Sequence, residues 1–136
     1  MHEISLQTRG RSQFVDVTAD VARAAAELGV RDGCVVIHNP HTTAAVTVNE
    51  GADPDVVRDM IAALDRLVPW EAGYHHAEGN SAAHIKASLL GSSVTVPVRD
   101  GRLVLGTWQT IWFCEFDGPR RRRLRVGGLP EAPVAR

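Results

Sequence analysis

Cysteine is nearly missing from this chain, with only Cys34 and Cys114 among 136 residues. Each lies in an apolar, strand-like run, and two are too few for a disulfide framework or a four-thiolate zinc site, so buried reduced thiols are expected. Long hydrophobic runs are missing as well. No stretch has the length needed to cross a bilayer, and Met1 to Gly10 lacks the basic-then-apolar pattern of a secretion signal, so the sequence predicts a cytoplasmic protein with no membrane partner. Nor does one sign of charge dominate: 15 Lys and Arg against 16 Asp and Glu leave a formal net charge of -1. That provides no global field for a polyanion, so no nucleic-acid partner is expected, and any anion binding needs a local patch. There is also no internal repeat, no glycine-rich phosphate loop, no HExxH helix and no Ser-His-Asp order.

The length favours a single core, and 44% hydrophobic with 23% charged residues is ordinary for a globular fold. One domain over residues 1–128, with a loose Pro-containing tail over 129–136, is expected. Alternating residues in His2 to Gly10 and in Gln13 to Val17, punctuated by Gly10, predict an opening hairpin. Thr18 is placed to cap a helix through Leu28, stopped by Gly29. Cys34 to His38 and Ala44 to Asn49 read as strands joined by a polar link, Asn39 to Thr43, that Pro40 keeps out of the ladder. Asp53-Pro54 opens a second helix, with Val57, Ile61, Leu64 and Val68 at helical spacing up to Pro69. Asn80 or Ser81 caps a third, which is expected to bury Ile85 and Leu89 and to end at Gly91. Asp100-Gly101 marks a hairpin over Ser93 to Leu105, with Val98 facing Leu103 and Val96 facing Leu105. Thr107 to Phe116 is a strand buried on both faces, Gly118-Pro119 is a turn, and Leu124 to Val126 forms a last strand.

What the chain has in unusual density is histidine. Five of its six histidines lie between His38 and His84, in a stretch that also supplies Thr42, Thr43, Glu50, Glu78, Asn80 and Lys86. Imidazole is the commonest side-chain metal ligand and the readiest proton carrier near neutral pH. His41, His76 and His84 could converge as a three-imidazole centre with an open position, or serve as ordinary hydrogen-bonded residues. Glu50 and Glu78 are candidates for a further ligand or a general base, or are solvated loop carboxylates. Glu115 interrupts an aromatic strand, so burial demands a partner for it. It is either catalytic or paired with Arg121 or Arg123. Gln109 shares its strand face, and Thr42 and Thr43 could orient a substrate oxygen or cap a turn. The run Arg120 to Arg123 is the only dense basic patch, with phosphate or diphosphate as a target and a charged sheet edge or subunit contact as the alternative.

The strings HTTAAVTVNEG, DPDVVRDM, LDRLVP, HHAEGNSAAHIKASLLG and GRLVLGTWQTIWFCEFDGPRRRR together resemble the YjbQ family, also called UPF0047, from about His41 to Arg123. The resemblance implies an α+β fold with a largely antiparallel sheet or sandwich and about three helices, a homotrimer, and a pocket near a subunit boundary. It implies His41, His76 and His84 as ligands of a divalent metal, zinc foremost. Glu50, Glu78 and Glu115 are then the catalytic candidates. Thr42, Thr43, Asn80, Lys86, Gln109, Arg121 and Arg123 are the candidates for holding a small phosphorylated substrate. The activity it implies is thiamine-phosphate synthase-like, joining a pyrimidine diphosphate to a thiazole phosphate. A metal-dependent hydrolase and a non-enzymatic binding module are the competing readings.

Overall fold

The computed structural model describes residues 1–134; Ala135 and Arg136, the end of the expected tail, lie outside the described residues. Among the described residues, eight strands and three helices make an α+β fold in the order β1 (His2–Gln7), β2 (Gln13–Asp16), α1 (Thr18–Glu27), β3 (Gly33–His38), β4 (Ala44–Glu50), α2 (Pro54–Leu67), α3 (Ser81–Leu90), β5 (Ser93–Arg99), β6 (Arg102–Leu103), β7 (Gln109–Glu115) and β8 (Arg121–Pro130). The strands form a five-stranded sheet, β1-β8-β3-β5-β6, and a three-stranded sheet, β2-β7-β4, antiparallel throughout.

The main core lies between the sheets, where Val35, Ile37, Val96, Val98, Leu124 and Val126 of one meet Ala44, Val46, Ile111 and Phe113 of the other. Helix α1 joins this core through Val21, Ala24 and Ala25. A second apolar cluster covers the opposite face of the smaller sheet, with Phe14, Ala45, Cys114 and Phe116 under Ala83 and Ala87 of α3 and, at its margin, Val57, Ile61 and Leu64 of α2. This is the burial of both faces of β7 that its apolar alternation requires.

Several local expectations give way to tertiary pairing. β1 and β2 do not form a hairpin: β1 pairs with β8 and β2 with β7 in the other sheet. Ile4 and Phe14 belong to different apolar clusters, so one sheet could not bury both in this way. Thr18 is the first residue of α1 rather than its cap, and its hydroxyl instead accepts the N–H of Ile111 at 3.0 Å. Asp53 does cap α2, accepting from the N–H of Asp55 at 2.9 Å, with Pro54 in the first turn. The β5–β6 ladder has Val98 opposite Leu103 as expected, but no Val96–Leu105 pair follows, because Pro97 has no N–H with which to extend it. Trp108, at the start of the expected strand, is exposed.

Helix α3 buries the face opposite to the one its large residues suggest. Ala82, Ala83, Lys86 and Ala87 face the protein, while Ile85 and Leu89 are exposed. Alanines let the helix approach β4 closely, and Ile85 and Leu89 are left on the outside. β8 runs on to Pro130, so Leu129 and Pro130, expected in the tail, pair with Cys34 and Gly33 of β3. Gly33 makes that possible: a Cβ there would stand 2.1 Å from the carbonyl oxygen of Leu129. Among the described residues no helix is long and apolar enough to cross a membrane.

Candidate functional site

The link between β3 and β4 is shaped by a residue the sequence reading passed over. Asn39 is buried, its amide Nδ2 donates to the carbonyls of His41 (3.1 Å) and Ala44 (2.5 Å), and its Oδ1 accepts the N–H of His41 at 3.1 Å. These bonds make the loop a rigid platform that holds His41, Thr42 and Thr43. The ring of His41 is fixed at its other side, since Nε2 accepts the main-chain N–H of Arg123 at 2.9 Å. With Nε2 accepting, the neutral ring carries its hydrogen on Nδ1. Partial burial, and then the nearby Arg122 and Arg123 guanidinium groups, push the pKa of His41 below its ordinary value, which keeps this ring neutral near pH 7.

Arg122 is the centre of the site. Alternation along β8 turns Arg122, Leu124 and Val126 inward and leaves Arg121, Arg123 and Arg125 exposed. Arg122 crosses to the smaller sheet and forms a two-point ion pair with fully buried Glu115, Nε to Oε2 at 2.7 Å and Nη2 to Oε1, while Nη2 also donates to the hydroxyl of Thr43 at 2.8 Å. Its Nη1 has no protein acceptor among the described residues. Glu115 also accepts from the Thr8 hydroxyl (2.8 Å) and the Asp117 N–H (2.9 Å). Burial alone would raise the pKa of this carboxyl, but Arg122, Asp117 and Thr8 outweigh it and hold the value below the ordinary one. The carboxylate is therefore ionised and its acceptor positions are taken, which makes it the support of Arg122 rather than a base. Gly118 lets the chain pass here, as a Cβ would lie 2.8 Å from both Glu115 Cγ and Thr8 Oγ1.

Around this pair is a polar cavity of about 510 Å³ whose walls include His41, Thr42, Thr43, His76, Glu78, Asn80, His84, Asp117, Arg120 and Arg122. The loop of His76 and the start of α3 bring their imidazoles together, with ring centroids 5.6 Å apart and the planes nearly perpendicular. Arg120 is tied to Asp117 at 3.0 Å, and Asp117 in turn accepts from Asn80 Nδ2 at 2.8 Å. A second cavity, of about 630 Å³ and reaching to His38 and Ser92, shares His41, Thr42 and His84 as its partition from the first.

The expected site thus divides. His41, His76, His84, Glu78, Asn80, Thr42 and Thr43 surround one space. Glu50 and Gln109 do not join them: they pair at the far end of β4 and β7, six residues and about 20 Å from the Ala44–Glu115 end. There Glu50 accepts from the N–H of Ala52 and Gln109 from that of Gly106. Lys86 is buried under α3 and ion-paired with Asp65 of α2, with Phe116 beside it, because it lies nearly opposite His84 on the helix. Arg121 and Arg123 point outward, and the arginine that meets Glu115 is Arg122. Asp117 and the side chain of Asn39 are members that the sequence reading did not single out, while Arg120 and Arg122 lay inside the basic run it named but were not the arginines it chose from that run. The available signal for Arg122 was parity, since only one register of the arginine run continues into Leu124 and Val126.

The three histidines do not fit a three-imidazole metal centre as placed. His41 spends its lone pair on Arg123, so only His76 and His84 keep free ring nitrogens. Among the described residues no three His, Cys, Asp or Glu side chains come together as a metal-binding group.

A two-sheet α+β domain with an imidazole and arginine pocket at one end of the sheets is the class that fold and site define. The model of the UPF0047 protein YjbQ-like family matches residues 2–131, and the chain belongs to this family. UPF0047 protein YugU of Bacillus subtilis is 49% identical over 120 residues, covering 88% of this chain and 91% of that protein. A UPF0047 protein of Methanocaldococcus jannaschii is 48% identical over 126 residues, 93% of this chain and 91% of its own length. The crystal structure of a YjbQ/UPF0047-family protein from Clostridium acetobutylicum superimposes with a TM-score of 0.93 at 52% identity, over 95% of this chain and 100% of that one.

Proposed function

We propose that the pocket around Arg122 binds a small phosphorylated substrate and carries out a thiamine-phosphate synthase-like condensation. The observation that carries this reading is the fixed guanidinium: Glu115 and Thr43 hold Arg122 in place from one side, and Nη1 is left for a ligand. A guanidinium oriented beforehand need not reorganise as charge develops on a leaving group, which is where electrostatic stabilisation contributes most to rate.

In the proposed reaction the ring nitrogen of a thiazole phosphate forms a C–N bond to the methylene carbon of a pyrimidine diphosphate, and the C–O bond to diphosphate breaks with its electron pair leaving on oxygen. No proton need be removed. Arg122 Nη1, the Nδ1–H of neutral His41 and Arg120 receive the departing negative charge. His76 and His84 are placed to donate hydrogen bonds to the same group, and Glu78 to offset the positive charge that develops on the thiazole nitrogen. Two cavities sharing the His41, Thr42 and His84 partition provide room for two reactants to meet. A homotrimer goes with this reading, its contact including exposed Ile85 and Leu89 beside His84.

The test is thiamine phosphate formation by the purified protein given both substrates, with diphosphate release followed in parallel and with chelator in a second arm. Stoichiometric product and diphosphate, unaffected by chelator and lowered about 100-fold or more in Arg122→Met, is the expected result. Diphosphate or phosphate released without the C–N product would point to a hydrolase. Ligand bound with no turnover would point to a binding module, and turnover lost to chelator would restore a metal to the site.

A further inference from the structure

We infer that Arg123, Arg125 and His38 form a second anion subsite at the mouth of the larger cavity, so that the site takes a compound with a phosphate at each end and an uncharged body between. Arg121, Arg123 and Arg125 alternate along the exposed face of β8, about 7 Å apart at the rise of a strand. Charged side chains on a sheet commonly guard an edge, but β8 is an interior strand with β1 on one side and β3 on the other. There is no edge here to guard.

The charge on this face is also unmatched. In the smaller cavity Arg122 is paired with Glu115 and Arg120 with Asp117. For the outer arginines the two flanking strands supply one carboxylate, Glu3 of β1, which stands opposite Arg125 and reaches Arg123 Nη1 at 3.9 Å. Three guanidinium groups against that one carboxylate leave two positive charges without an ion-pair partner among the described residues. Like charges this close repel one another, and a bound anion relieves the repulsion.

The stripe meets the cavities at two points. His38 lies directly opposite Arg125 across β3 and β8, and it also lines the larger cavity, whose partition from the smaller one is His41, Thr42 and His84. The main-chain N–H of Arg123 is held by His41, and the Arg123 guanidinium, after burial and Arg122, lowers the pKa of that ring, so its field reaches the partition. Between these points the larger cavity is lined by no lysine, arginine or carboxylate, which suits an uncharged body. Arg125 is three residues, about 10 Å, along β8 from Arg122, and this sets the separation of the two anionic groups. No Phe, Tyr or Trp is a cross-strand neighbour of the three arginines, so the face lacks the stacking platform that a nucleic-acid strand would use.

This second subsite rests on the phosphate-binding reading, and one titration series separates the two. Calorimetry on the full chain compares hexyl phosphate, hexane-1,6-diyl bisphosphate and ethane-1,2-diyl bisphosphate at one ionic strength. The native protein should bind the longer bisphosphate about tenfold tighter than hexyl phosphate, with no such gain for the shorter one, whose ends are too close to reach both subsites. Arg123→Gln combined with Arg125→Gln, both at exposed positions, should bring that ratio to about one and leave the affinity for hexyl phosphate unchanged. Hexyl phosphate bound with no gain for the longer bisphosphate overturns the second subsite alone. So does a gain that survives the double variant, or an equal gain for the shorter bisphosphate, which reports ligand charge only. A double variant that sediments with fewer chains than the native protein makes the stripe a subunit contact and overturns the subsite as well. No binding of any of the three compounds overturns the site reading and the second subsite together.

Discussion

The cost of keeping Glu115 charged inside the fold decides what that residue does. A fully buried carboxylate with a two-point guanidinium partner leaves a stranded charge when either partner is removed, which costs about 3–5 kcal/mol. Glu115→Gln is expected to lower stability by about 3 kcal/mol in urea denaturation and to loosen Arg122, so that anion affinity falls with it. If stability were unchanged, the ion pair would not be the anchor of the site. Because the folded-state pKa of Glu115 is depressed, its contribution is present at neutral pH and is lost as pH falls through that value. His41 works in the same direction at higher pH. Its folded pKa lies below the ordinary 6.5, so the unfolded chain takes up the proton first, and stability declines as pH drops from about 6.5 toward the folded value. Thermal melts of native protein and His41→Gln between pH 7.5 and pH 5, both set as about the limits of that window, should show a smaller loss in the variant.

At the scale of the element, α3 carries two unrelated functions on its two sides. His84 faces the cavity, and Lys86, about 200° round the helix, faces α2, where its ammonium is buried beside Phe116 and paired with Asp65. Asp65 is more than half exposed, so water can take over its charge when the lysine is removed. Lys86→Met is therefore expected to change stability by no more than about 1 kcal/mol and to leave phosphate affinity intact. A loss of ligand binding in that variant would return Lys86 to the site. The β3–β4 link depends instead on Asn39, whose three bonds set the backbone of His41. Asn39→Ala leaves two carbonyls and an N–H without partners, and about 2 kcal/mol of stability should be lost along with the position of His41.

For the whole molecule, the exposed pair Ile85 and Leu89 on the outer side of α3, with Leu67 exposed on α2, is more apolar surface than the helices' own packing explains. On the trimer reading, sedimentation should give three chain masses for the native protein and a single chain for Ile85→Glu with Leu89→Glu. A native protein that sediments as one chain removes the trimer from the proposal. The site lies at one end of the two sheets, where Thr8, Thr43, Glu115, Asp117 and Arg122 arrive from segments separated by up to 114 residues of sequence. No local pattern could bring these together.

Local chemistry was enough for the sequence to specify the helix starting at Asp53-Pro54, the Asp100-Gly101 hairpin, both buried faces of β7 and the histidine stretch that holds most of the pocket wall, because each depends on spacing between near neighbours. Only the tertiary structure decided that β1 and β2 part into different sheets, that Arg122 rather than Arg121 or Arg123 meets Glu115, that Lys86, Glu50 and Gln109 lie outside the pocket, and that the ring of His41 is already engaged. Those outcomes depend on register across strands and on which helix face is small enough to approach a sheet. Such pairings are selected by burying all the apolar surface at once, and a single segment carries no information about its partner.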